Sequence, residues 1–318
     1  MPAVLPEPRE YASLVPTPES PVWRYASDVR VLAAAGYALV LQVAHPTVGA
    51  GVAEHSRFRQ DPWGRLQRTL DYVQGTIYGG PGAAGEIGRR VREMHREIKG
   101  IGAGGERYHA LEPSAFAWVH ASLAGAIVDA HRLFARAIPA PELERFWADW
   151  RRLGRLIGIR PRDLPPDWGA FRAYFDQTVE TALVDTPAVH AVLDTLRHPA
   201  PPFAALPHVL WRLLRLPLAV ELRLVTVGML PPALRERLHL RWAATDAAAF
   251  GALAAASRTS SPLVVGPLRE LGPRYVRLRR IGSPAREAGA GTGEGTADVR
   301  PVPPSALSAG SRRAAPRR

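Results

Sequence analysis

Residues 45–69, HPTVGAGVAEHSRFRQDPWGRLQRT, follow the most apolar helix-forming run of the chain and concentrate much of its polar chemistry: His45, Glu54, His55, Arg65, Arg68 and Thr69. Groups of this kind are costly to bury without partners, so a bound group is expected to supply them. The second half of the stretch opens a helix at Asp61, a good N-cap, with Pro62 at the first helical position. Leu66, Leu70, Val73 and Ile77 then recur at helical spacing, with Arg65, Thr69, Tyr72 and Thr76 as a polar stripe beside them. A guanidinium and a hydroxyl therefore face one spot, one turn apart. On spacing alone, Arg65 pairs with a core carboxylate and Thr69 bonds back to a backbone carbonyl.

Upstream, residues 31–44, VLAAAGYALVLQVA, are apolar but too short and interrupted to span a bilayer. They read as a buried helix capped at Ser27 or Asp28 and ending near His45, where Pro46 disfavours helical geometry. The segment 47–57 is helical again, with Val48 and Val52 inward and His55 able to share that face. Residues 1–24 carry six prolines and read as an extended arm, held by Val22 and Trp23.

Downstream, Ile87, Val91, Met94 and Ile98 mark a helix over about 85–99 with His95 at the border of its apolar face. A lone histidine there is ordinarily a satisfied boundary residue. Gly100–Gly105 reads as a loop. A helix over 114–136 buries Trp118, Leu123, Ile127 and Phe134 and carries His120, while His131, between Asp129 and Arg132, reads as exposed or semi-exposed. Further helices are expected at 141–157, 168–183, from Pro187, and at 245–256. The apolar stretch 206–230 reads as a core helix pair broken at Pro217 or a lining for hydrophobic substrate, with peripheral membrane contact as the alternative.

The expected architecture is all-α: one helical domain over 25–281 between the arm and, from 282 to 318, a Gly-, Ala-, Pro- and Arg-rich tail too poor in large apolar residues to order itself. At 318 residues and 47% hydrophobic content the chain can fill a sizeable core. The absence of cysteine excludes disulfides, thiolate-ligated haem, iron–sulfur clusters and a cysteine nucleophile. The net charge of +12 is spread as arginines without any nucleic-acid-binding motif, so no nucleic-acid partner is expected. The N-terminus lacks the charged and apolar regions of a secretory signal, and a cytoplasmic protein is expected, with membrane-peripheral contact through 206–230 as the variant.

The pattern HPxVxxGVxEHSxFxxDPxGRLxRTLDYV from His45, with VREMHREIKG from Val91 and YHALEPSAFAWVHASL from Tyr108, resembles the bacterial DUF2236 family. That family includes the MpaB-type oxygenases and is related to the latex-clearing rubber oxygenases. The resemblance implies an all-helical, globin-like core around a haem pocket, haem b as the iron cofactor and dioxygen as co-substrate. It identifies His95 as the metal ligand, places Arg65 and Thr69 on the opposite face of the haem, and lets Arg68 meet a propionate. His45, Glu54, His55 and His120 join the set, Glu54 as a base for an allylic proton. The implied activity is oxidation or cleavage of a C=C bond in an isoprenoid or other hydrophobic small molecule.

Two other readings stay open. A haem-binding or sensing protein without turnover needs His95 but tolerates loss of Arg65 and Thr69. A non-haem iron or copper oxidase would gather His45, His55, His95 and His120 around one metal, although the Glu-x-x-His spacing of bundle di-iron sites is missing.

Overall fold

The computed structural model describes residues 5–282, apart from 57, 103 and 203–205. The tail expected over 282–318 thus lies, beyond its first residue, outside the described residues. The helices are α1 (Tyr11–Leu14), α2 (Pro21–Ala26), α3 (Ala35–Val43), α4 (Pro46–His55), α5 (Pro62–Tyr78), α6 (Gly80–Arg96), α7 (Pro113–Phe134) and α8 (Ala140–Leu156). They continue with α9 (Trp168–Thr181), α10 (Pro187–Arg197), α11 (His208–Met229), α12 (Pro232–Arg237), α13 (Ala244–Thr259), α14 (Gly266–Arg269) and α15 (Leu271–Arg279). Between α6 and α7 a small antiparallel hairpin, β1 (Lys99–Ile101) and β2 (Arg107–His109), pairs Gly100 with Tyr108, where a plain loop was expected. The fold is all-α, as the family resemblance implies.

Helix α7 is the axis of the core. Trp118, Ala121, Ala124, Ile127 and Phe134 are buried along it, and its small residues let neighbours approach closely. At Gly125 a Cβ would stand 2.5 Å from the Phe175 ring of α9. Trp118 also donates its indole N–H to the Leu41 carbonyl of α3 at 3.0 Å, so the largest buried ring has its polar atom satisfied.

The local signals around the organising stretch hold. Asp28 accepts the Arg30 amide and starts a 3-10 turn, Val29–Ala34, that runs into α3. His45 is extended (ψ 126°), as a residue before proline should be, and α3 and α4 meet there at a sharp bend. Asp61 accepts the Gly64 amide at 2.8 Å and caps α5, with Pro62 at its first turn.

Four expectations change. The N-terminal arm is not extended: Pro8–Glu10, α1 and α2 are helical turns packed on the body. Prolines at the first turn of a helix are tolerated, and Leu14, Val22 and the Ser20–Asp149 hydrogen bond anchor the segment. Helix α6 turns Met94 to solvent and makes its closest packing through Ala84, Gly85 and Gly88. A Cβ at Gly88 would lie 2.2 Å from the Leu156 carbonyl oxygen of α8. His131 is buried, its Nε2–H donating to the Tyr25 carbonyl at 2.9 Å.

Helix α11, finally, is one helix through Pro217 and not a broken pair. The carbonyl freed four residues earlier belongs to Leu213, which is exposed, so water can satisfy it. The second half, around Val225–Met229, enters the core; of the first half only Trp211 is buried. No single described helix is long and apolar enough to cross a membrane.

Candidate functional site

His95 lies in the last turn of α6, half-buried, with its ring edge-on to Phe116 of α7 at 5.5 Å between centroids. Its Nδ1–H donates to the Val91 carbonyl one turn back, at 2.7 Å. That bond fixes the tautomer and leaves the Nε2 lone pair free for a ligand. Burial pushes the His95 pKa down, the nearby Arg65 charge adds to this, and the Val91 bond only partly opposes it. The ring is therefore neutral at pH 7, the state in which imidazole binds iron.

Arg65, on the first turns of α5, is half-buried, and its guanidinium donates to the Ser56 hydroxyl at 2.6 Å. The carboxylate partner expected from spacing is not there: among the described residues Arg65 joins no ion pair. Burial, and then the neighbouring Arg68 charge, push its pKa down. Thr69 follows one turn on, is exposed, and bonds back to the Arg65 carbonyl at 3.1 Å, as spacing alone predicts. Arg68 is exposed and pairs with Asp61 at 3.3 Å.

A second group forms where α4 meets β2. The buried Tyr108 donates its hydroxyl to the Glu54 carboxylate, and its oxygen accepts from His55 Nε2–H at 3.1 Å. Burial, then the Glu54 bond, raise the Tyr108 pKa, so the phenol keeps its proton. Opposite them, a Cβ at Gly100 would sit 2.7 Å from that hydroxyl and 2.8 Å from the Glu54 carboxylate, so the position admits only glycine comfortably. Glu54 and His55 are exposed, and both are oriented by one phenol. His45 stands apart at the α3–α4 bend, its Nδ1 buried without a partner and its pKa lowered by burial.

His120 belongs to the interior. Its Nε2–H donates to the Trp150 carbonyl at 2.8 Å, Trp150 returns an indole bond to the His120 carbonyl at 3.0 Å, and the rings stack. Burial depresses its pKa to about 4. Its Nδ1 has no partner, and the neighbouring void between Tyr72, Thr76, Leu123 and Leu153 measures about 10 Å³, room for one water. His120 and Phe116 are four apart on α7, so His120 lies one turn from the ring that His95 touches.

The histidines thus do not converge. Among the described residues no three His, Cys, Asp or Glu side chains come together as a metal site, and the reading of His45, His55, His95 and His120 as one non-haem centre finds no support. An open cavity of about 710 Å³ is lined by Arg59 and, around the start of α10, by Asp185, Thr186, His190 and Asp194, with none of the expected site residues. A haem requires only one protein ligand, and the donor at His95 fits it: neutral, Nε2 free, a phenyl edge beside it and an uncompensated guanidinium close by. The void beside His120, about 10 Å³, has no room for a macrocycle. Sequence reasoning missed Ser56, Phe116 and Tyr108; Tyr108 was visible as the aromatic between two polar residues in Arg107-Tyr108-His109, and Ser56 as the neighbour of His55.

Two uncharacterised proteins, one of Mycobacterium tuberculosis and one of Mycobacterium bovis, are each 26% identical to this chain over 230 residues, covering 71% of it and 87% of their own length. No solved structure matches it. The profile of the family described as "ER-bound oxygenase mpaB/B'/Rubber oxygenase, catalytic domain" matches residues 23–259, a span holding α3 to α13 and every site residue above. The chain belongs to the mpaB/rubber oxygenase catalytic-domain family.

Proposed function

We propose that this protein is a haem b-dependent oxygenase that uses dioxygen to oxidise or cleave a C=C bond of an isoprenoid or similarly hydrophobic small molecule. The observation that carries the reading is the pair His95 and Arg65: a neutral imidazole with its Nε2 free, under the field of a half-buried cation that has no carboxylate partner among the described residues. Bound at His95, haem would supply the capture and activation of dioxygen.

The chain's own residues then have separable tasks. The Val91 carbonyl holds the His95 ring in one tautomer. Ser56 holds Arg65 so that its remaining N–H groups are aimed without carboxylate competition, ready for a propionate or for negative charge that develops during reaction. Tyr108 orients the Glu54 carboxylate, which can take a proton from an allylic carbon, and the His55 N–H in turn holds the phenol oxygen. The second reading, haem binding without turnover, is favoured by Thr69, whose hydroxyl is committed to the Arg65 carbonyl.

Oxygen uptake by haem-loaded protein with an isoprenoid alkene tests both. Under the proposed reading Arg65→Gln keeps its haem and slows uptake on the order of a hundredfold. Haem-loaded wild type that consumes no oxygen with any such alkene, or an Arg65→Gln variant as fast as wild type, would overturn it.

A further inference from the structure

The first half of α11 has two apolar faces. At about 100° per residue, Trp211, Leu218 and Leu222 point one way, toward the body, where Trp211 is buried. Val209, Leu213, Leu216 and Val220, at spacings of four, three and four, point the opposite way and are 72%, 69%, 64% and 63% exposed. Leu210 and Leu214 widen that stripe on one side. Arg212 and Arg215 run along the other side, exposed and in no ion pair among the described residues. Residues 206–220 contain no acidic side chain at all. Arg223, by contrast, is neutralised by Asp246 of α13 at 3.0 Å, so the free positive charge is confined to the projecting half.

A continuous row of large apolar side chains facing water is a surface that something covers. We propose that residues 208–220 of α11 dock on an anionic lipid surface, with Val209, Leu213, Leu216 and Val220 entering the headgroup–acyl boundary and Arg212 and Arg215 meeting lipid phosphates. The charge pattern selects this occupant: one apolar stripe with a purely cationic flank is what an interfacial helix needs. A second copy fits less well, because antiparallel self-pairing along the stripe sets each arginine flank against its own equivalent. The inference needs no haem and no turnover, and its test is separate from theirs.

The test is flotation of the full-length protein with vesicles of pure phosphatidylcholine and of phosphatidylcholine mixed with phosphatidylglycerol. Wild type should float with the mixed vesicles, and Arg212→Gln/Arg215→Gln should lose on the order of tenfold in that partitioning alone. Leu213→Glu/Leu216→Glu should abolish flotation with circular dichroism and Tm unchanged, since both side chains already face solvent. Wild type that stays in the soluble fraction with both vesicle types would overturn the proposal, as would binding that survives the glutamate substitutions. A concentration-dependent dimer that the glutamate variant dissolves, without vesicle binding by wild type, would assign the stripe to a second copy instead.

Discussion

His120, on α7, and His95, at the end of α6 against the Phe116 ring of α7, have opposite chemical fates. His95 keeps an open nitrogen, whereas His120 spends its proton on the Trp150 carbonyl and buries the other nitrogen. The burial has a consequence for acid stability. His120 titrates at about 4 in the folded chain and near 6.5 unfolded, so below pH 6.5 the unfolded state takes up the proton first. Stability is therefore full above about pH 6.5 and falls as the pH drops toward 4, by roughly 3 kcal/mol from this group. His120→Gln, which keeps an N–H donor for Trp150, should flatten this part of the acid-unfolding curve measured by circular dichroism; an unchanged slope would show that His120 is not the titrating group. His95 follows the same sign, its lowered pKa keeping the ring neutral, and so able to ligate, to a lower pH than a free imidazole. Sequence spacing set Arg65 and Thr69 on one face and foresaw the Thr69 back-bond, but it could not tell that Arg65 meets a hydroxyl and not a carboxylate. Neither could the neighbours of His131 in sequence report its burial, because on a helix Asp129 and Arg132 point along other directions.

Elements with strong local chemistry were legible: the Asp61 cap, the bend at His45-Pro46 and the α5 stripe all follow from residue types at fixed offsets. Asp61→Ala should cost about 1 kcal/mol in chemical denaturation, the ordinary cost of losing an N-cap. Helix α6 was read less well, because counting large apolar residues overlooks a face built of Ala84, Gly85 and Gly88. That face lets α6 approach the α8 backbone and so sets where His95 is presented. Gly88→Ala has no flexible side chain to displace, only the Leu156 carbonyl, and should cost about 1–3 kcal/mol by the same measurement. A variant as stable as wild type would mean that α6 and α8 are not packed so closely. For α11 the sequence reported apolarity but not what lies opposite it, and the exposed half could be recognised only once its neighbours were in place.

At the scale of the whole molecule, individual helices were written in periodicity, while the family, and with it the all-α class, was written in the ordered motifs from His45 to Leu123. The site was less legible, since it joins α5 and α6 across a gap that no sequence spacing encodes. A ligand that binds only the folded chain stabilises it, so haem supplied at about a hundredfold over its Kd should add about 2.7 kcal/mol and raise Tm; no change in Tm would mean that the fold has no haem site. The most direct measurement is the absorption spectrum, with iron content, of the full-length protein purified with haem supplied, beside His95→Ala prepared identically. The account predicts one haem per chain with a Soret band in wild type, and its loss or displacement in the variant. Wild type without a Soret band, or a variant with the same band and the same iron content, would contradict it.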